Sequence, residues 1–271
     1  MKRDYTLTLG VLLLIFLSSC EKEISINLNK TNPRYVIEAN ISDILNDSRV
    51  KITKTLNFDE ATAYPTVSNA LVSIKELSTN KIDTLTELSA GIYSKPTLIG
   101  KINHSYLLTV KIGNETFTST STMPAGLHLD SIIQQNLAGS AGDLGPPPGT
   151  PAAGKIIQIL PVYTNPFLTD IYYQYVVTRN SKFLNNIIPR KELIENGPTL
   201  KFPLFIEAKK DDIITVDMQF IEKKIYDYLF GVSENFNQFS ATPSNPNANF
   251  SNGALGYFKA HTSNKKTILV K

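Results

Sequence analysis

Through the first half of this 271-residue chain, short runs alternate apolar and polar residues at every second position, a pattern that restricts them to β-strands with one buried face. Tyr35–Ile41, Val50–Leu56, Ala70–Leu77, Tyr106–Ile112 and Thr116–Thr120 all carry it. Turn-forming pairs lie between them: Asn46-Asp47, Asn80-Lys81, Ala90-Gly91 and Gly113-Asn114. Several short strands at regular spacing predict a β-sandwich of immunoglobulin-like or prealbumin-like shape over residues 31–125.

Residues 126–271 read as a second β-rich domain, with the boundary at Pro124-Ala125-Gly126. Its expected strands are Leu129–Ile133, Lys155–Thr164, Ile171–Arg179, Pro203–Ala208 and Asp212–Phe220, with Lys266–Lys271 closing the chain. Residues 138–154 are rich in Pro and Gly and have few apolar side chains to offset their ordering entropy. They read as a long exposed loop within the second domain, with a linker as the alternative. Ile221, Ile225, Tyr228, Leu229, Val232, Phe236 and Phe239 recur at three- and four-residue steps, which predicts one amphipathic helix at about 221–239 docked on the second sheet. Gly231 weakens it by up to about 1 kcal/mol relative to Ala. Such a stripe is ordinarily core, and a partner-binding face is the alternative. The expected fold class is therefore mainly β with one docked helix.

The N-terminus carries an address. Lys2 and Arg3 precede an apolar run from Leu7 to Leu17, about 11 residues long and short of the roughly 20 needed to span hydrocarbon. Leu17-Ser18-Ser19-Cys20 then resembles a bacterial lipobox, in which cleavage between Ser19 and Cys20 leaves an acylated cysteine as the first residue. The single cysteine of the chain occupies that position. The reading is a signal peptide at 1–19, an acidic tether at 20–30 and palmitate-type acyl chains on Cys20, each buried CH₂ contributing about 0.8 kcal/mol of membrane affinity. An ordinary signal peptide with a coincidental cysteine, or a buried free thiol, is the alternative. Glu21-Lys22-Glu23 resembles the acidic signal that sends lipoproteins to the outer face of the outer membrane, and reads equally as a solvated tether.

Little in the chain suggests catalysis. One cysteine excludes a disulfide framework and any multi-cysteine metal site. A net charge of +3 with no Lys/Arg run longer than two residues gives no footprint for nucleic acid. His104, His128 and His261 are far apart in sequence, and no hydrolase, zinc, P-loop or dinucleotide motif occurs. Asp211 and Asp212, with Asp217, do not match the spacing of a calcium loop and read as a solvated turn. The expectation is a non-enzyme without catalytic residues, metal or cofactor. Asp83-Thr84-Leu85 and Asp130-Ser131-Ile132 resemble O-glycosylation tripeptides, making Thr84 and Ser131 candidate sites. Tyr172, Tyr173, Tyr226, Tyr228 and Tyr257 either line an open ligand groove or are core.

Several stretches together resemble one family. They are the lipobox with Glu-Lys-Glu-Ile, Tyr35–Ala39, Val67–Ile74, Gly91-Ile92-Tyr93 and Tyr106–Val110, followed by Asn245-Pro246 before Asn249 and by Ser251 through Gly253-Ala254-Leu255-Gly256-Tyr257-Phe258. The chain resembles a Bacteroidota lipoprotein family, domain of unknown function 4249, over essentially its whole mature length. Where the family has Gly-Gly, this chain has Asn252-Gly253, and Asn is the next most tolerant of a positive φ. The resemblance implies a surface-facing, lipid-anchored outer-membrane protein encoded beside a TonB-dependent β-barrel transporter, acting as its accessory or substrate-binding partner. It brings no catalytic residue. A structural or adhesive cell-surface protein is the second reading, and a degenerate hydrolase the third.

Overall fold

The computed structural model describes residues 33–56, 63–136, 155–164, 170–184, 187–192, 202–236 and 246–271. The signal peptide, the tether with Cys20, the 138–154 loop and Asn245 lie outside the described residues.

The described residues belong to one compact unit. Its strands are β1 (Tyr35–Ser42), β2 (Arg49–Lys54), β3 (Leu71–Glu76), β4 (Ile82–Ser89), β5 (Ile92–Ser94), β6 (Ser105–Ile112), β7 (Glu115–Thr122) and β8 (Leu129–Asn136), then β9 (Lys155–Tyr163), β10 (Ile171–Arg179), β11 (Lys182–Phe183), β12 (Ile188–Glu192), β13 (Leu204–Ala208), β14 (Ile213–Phe220) and β15 (Leu255–Leu269). One helix, α1 (Lys223–Phe236), and a 3-10 turn at Ser251–Gly253 separate the last two strands. The described residues are thus mainly β with one docked helix.

Twelve strands form one hydrogen-bonded sheet in the order β11-β10-β14-β15-β1-β2-β5-β4-β3-β6-β7, with β12 also paired to β10. The remaining sheet is β13-β9-β8. From β15 to β7 the large sheet wraps a first core of Ile37, Ile41, Ile52, Ile74, Leu108, Phe117 and their neighbours. Its β7 end returns against β15, where Ala260 N donates to Ser121 Oγ (2.8 Å). The other end of the large sheet faces the small sheet across a second core that includes Leu129, Ile159, Tyr173, Val216 and Phe220. In chain order the first core runs to Met123 and resumes at Ala254, whereas the second begins at Leu127.

One strand belongs to both cores. Leu255–His261 of β15 pair in parallel with β1, and Thr262–Leu269 pair antiparallel with β14. The expected closing strand at 266–271 therefore begins eleven residues earlier, at Leu255. Alternation is obscured in the added part because Lys259 and His261 are buried on one face while Gly256 and Ala260 are small on the other.

Gly256 makes the parallel pairing feasible. Its φ is +98°, and a Cβ there would lie 2.1 Å from the carbonyl oxygen of Ile37, its register partner. Only glycine takes that conformation without strain and that approach without a clash. The helix runs through Gly231, where a side chain would meet Pro246 at 3.3 Å. Its Ile225, Tyr226 and Leu229 are buried with Ile221.

Gly256→Ala is expected to destabilise the protein by about 3 kcal/mol or more, since backbone strain and a clash with main chain add. Gly113, at φ +58° with nothing within 4 Å of where a Cβ would stand, is the control. Gly113→Ala should cost only about 1 kcal/mol. Equal midpoints for the two variants in urea unfolding would refute the role assigned to Gly256.

Candidate functional site

The residues of the C-terminal signature do structural work first. β7 is the end strand of its sheet, and its outward backbone groups would be open to pairing with another chain. They are capped instead. Thr118 N donates to Ser251 Oγ (2.8 Å), Asn252 Nδ2 donates to Thr116 O (2.6 Å), and Lys224 Nζ donates to Thr120 O (2.7 Å). Asn252 and Gly253 reach this position with φ of +54° and +72°. The Arg34 guanidinium donates to Gly253 O, tying the turn to the entry of β1. Asn249 pairs with both backbone groups of Phe258, accepting from its N (2.9 Å) and donating to its O (2.8 Å). Ala254 and Phe258 are core, whereas Leu255 and Tyr257 are half-buried. Pro246 packs at Gly231 of the helix.

The chemistry-bearing residues converge one strand further in. Residues of odd number on β15 share a face with Asp217 and Gln219 of β14 and with Gln174 of β10, because the registers pair Asp217 with Lys265, Gln219 with Ser263 and Gln174 with Gln219. Lys259 Nζ donates to Gln219 Oε1 (2.6 Å), which also accepts from Gln174 Nε2 (2.7 Å). Gln219 Nε2 donates to Asp217 Oδ2 (2.8 Å), and Ser263 Oγ donates to Asp217 Oδ1 (2.6 Å). Lys265 Nζ stands 3.8 Å from Asp217 and 3.9 Å from Asp47 of the β1–β2 turn. Burial pushes the Lys259 ammonium down to about 8, against the pull of Asp217 and Asp47.

His261 lies in the same seam and is unsatisfied. It is 1% exposed, and neither ring nitrogen has a hydrogen-bond partner. Its Nε2 is 3.9 Å from Asp47 Oδ2, beyond hydrogen-bond reach. Burial, with Lys259 and Lys265 beside it, holds its pKa well below the ordinary imidazole value. The seam brings buried charge and hydrogen-bonding capacity next to the two apolar cores.

The other candidate residues are dispersed. His104 bonds Ser78 and the Glu76 carboxylate at a surface turn. Burial works to raise the Glu76 pKa, yet bonds from Thr79, Lys101 and His104 hold it below its usual range. Asp212 accepts from Lys209 N (3.0 Å) and Asn180 Nδ2 (2.8 Å), which makes it a turn brace set apart from Asp217. Among the described residues, no group of three or more His, Cys, Asp or Glu could hold a metal ion. Thr84 is exposed on β4, and Ser131 is half-buried at a register shift in β8. Tyr173 belongs to the second core, and the other named tyrosines join helix to sheet. Tyr172 meets Tyr226 at 5.4 Å and Tyr228 meets Tyr257 at 5.6 Å between ring centres, so they cement α1 instead of lining an open groove.

Lys259, Gln219 and Gln174 carry no motif that marks them in the sequence. The one signal there is the period-two series Lys259, His261, Ser263 and Lys265, a polar face on a strand that alternates with Phe258 and Ala260.

Among known families, the one described as domain of unknown function (DUF4249) matches residues 21–267. No curated protein matches the chain.

The seam gives the fold a pH dependence. An unfolded His261 takes a proton below about pH 6.5, whereas the folded residue resists it, so stability is full above that value and drains as pH falls. His261→Gln should flatten this loss between about pH 7 and 5. Parallel unfolding profiles for variant and wild type across that range would remove His261 as its source.

Proposed function

The chain belongs to the DUF4249 family, and from that premise we propose that it is a lipid-anchored outer-membrane lipoprotein serving as a non-catalytic accessory or substrate-binding partner of a TonB-dependent nutrient transporter. The observation that carries this reading is the placement of the only cysteine at the end of Leu17-Ser18-Ser19-Cys20, behind a basic start and a short apolar run. The Glu21-Lys22-Glu23 segment next to it favours the outward face. The described residues are consistent with a tethered globular unit, since none of their helices is long and apolar enough to cross a membrane. Several acyl chains on Cys20 would supply a durable anchor without a span.

The partner is proposed from what the resemblance implies, that lipoproteins of this kind are encoded beside such transporters. The absence of a recognisable catalytic motif supports a binding role over an enzymatic one. A structural or adhesive surface protein is the competing assignment, supported by the β-rich architecture and by the exposed candidate glycosylation site at Thr84.

Metabolic labelling with a fatty-acid analogue tests the anchor. Wild type should incorporate label and sediment with outer membranes, and Cys20→Ala should lose both. Label retained in the variant would overturn the acylation site. Mild-detergent purification of the wild type should bring down a β-barrel partner. Recovery of the labelled protein alone would favour the adhesive assignment.

A further inference from the structure

A cavity of about 250 Å³ opens beside the seam, where the β1–β2 turn, the β5–β6 connection and the segment leading into β8 meet β14 and β15. Ile102, Leu127 and Phe220 give it apolar walls, Asp43, Thr262, Ser263 and Asn264 give it polar ones, and the exposed His128 also lines it. Phe220 and Leu127 belong to the second core, so these walls are fixed by packing.

Three features of the polar wall point to one kind of ligand. Asp43 is a part-buried carboxyl with acids for neighbours: burial is the main influence raising its pKa, and Asp217 and Asp47 add to it. Asp47 and Asp217 share Lys265, whereas Asp43 makes no ion pair among the described residues. Its Oδ1 accepts from Ser263 N (2.9 Å), and a carboxylate has further lone pairs to offer. Thr262 is 4% exposed, and its Oγ1 has no hydrogen-bond partner. That oxygen packs against Gly126, another wall residue, 2.6 Å from where an added Cβ would stand. Asn264 directs its Nδ2 toward Leu127 O (3.4 Å), which leaves its Oδ1 as an acceptor.

One carboxylate, one hydroxyl and one carboxamide oxygen match the three donors of an ammonium group. The aliphatic and aromatic walls match a short hydrocarbon stem. An anionic ligand would meet the Asp43 carboxylate, which already feels the charges of Asp47 and Asp217. A metal ion would find too few ligands, as the described residues hold no group of three or more His, Cys, Asp or Glu suited to one. We propose that this cavity binds a primary ammonium carried on a short apolar stem, with Asp43 as its counter-charge and Thr262 and Asn264 as neutral acceptors. The site gives a ligand class to the binding role proposed above, and it rests on that role only for its use in transport.

Isothermal titration of the full chain in mild detergent tests it, with n-butylammonium as the probe and 1-butanol and butyrate as neutral and anionic controls. Butylammonium should bind at one saturable site. Asp43→Asn should weaken it by about tenfold or more, and Thr262→Val by about threefold. In the wild type, affinity should fall as pH drops through the carboxyl range, because protonated Asp43 loses its charge. Butylammonium binding no tighter than 1-butanol, equal affinity in wild type and Asp43→Asn, or a cavity filled by solvent only would overturn the proposal. Should Asp43→Asn fail to fold by circular dichroism, a flat pH profile of wild-type affinity overturns it as well. Barrel co-purification, followed on the same preparations, fails or survives independently of amine binding and so separates the two proposals.

Discussion

The close passage of β15 against β1 at Gly256 is the constraint on which the architecture depends. Parallel pairing from Val36↔Leu255 to Ser42↔His261 brings Phe258 and Ala260 into the first core. The same strand then continues past Thr262 to pair with β14, and Ile268 packs on the second core while Val270, just beyond it, is part of that core. At 15 residues β15 is well beyond the usual strand of about five or six. Neither core is complete without it. A chain of this kind gains cooperativity by sharing an element, because loosening the strand at either end exposes apolar surface in both cores.

Sharing one strand creates an edge problem that the signature turn solves. The large sheet ends at β7, and β7 is rich in Thr and Ser, with the sequence ETFTSTST. Strands of that kind invite another chain to pair with them unless the edge is covered. Ser251, Asn252 and Lys224 cover it with three hydrogen bonds to alternate backbone groups, and Arg34 fixes the turn that presents two of them. This gives the signature residues a physical reason that involves no ligand. Their spacing serves the fold, and function has to be sought on other residues.

How much of this was legible depended on which face each strand buries. β1, β2, β3, β6 and β7 alternate cleanly and were readable at nearly their full lengths. β4 was not, because it inverts the pattern: Ile82 is 61% exposed while Asp83 is buried, held by Lys81 (3.2 Å) and Lys95 (2.6 Å). A paired carboxylate inside and an isoleucine outside defeat any reading based on hydrophobicity alone. β5, at three residues, and β11, at two, are too short to show a period. The first eleven residues of β15 were hidden for a related reason, since Lys259 and His261 occupy buried positions where alternation calls for apolar side chains. The polar seam was therefore obscured by the very feature that makes it distinctive. Its members come from three strands, and only the registers bring Gln174, Gln219 and Lys259 together.

Buried polar groups cost stability unless they satisfy one another. Lys259, Gln219, Gln174, Asp217 and Ser263 bond one another into a single network. His261 and Thr262 do not, although they are adjacent on one strand. Strand alternation turns them to opposite faces, one into the seam and the other toward the cavity at Gly126. Asp43 stands within reach of both environments: it bonds the backbone of Ser263, lines the cavity and feels the charge of Asp217 in the seam. Places where a sequence departs from the pattern that folds it are where function is expected. Here the departures fall on the short stretch of β15 that passes from one core to the other. A cation held at Asp43 would relieve the repulsion among Asp43, Asp47 and Asp217 and would act on the strand that both cores share.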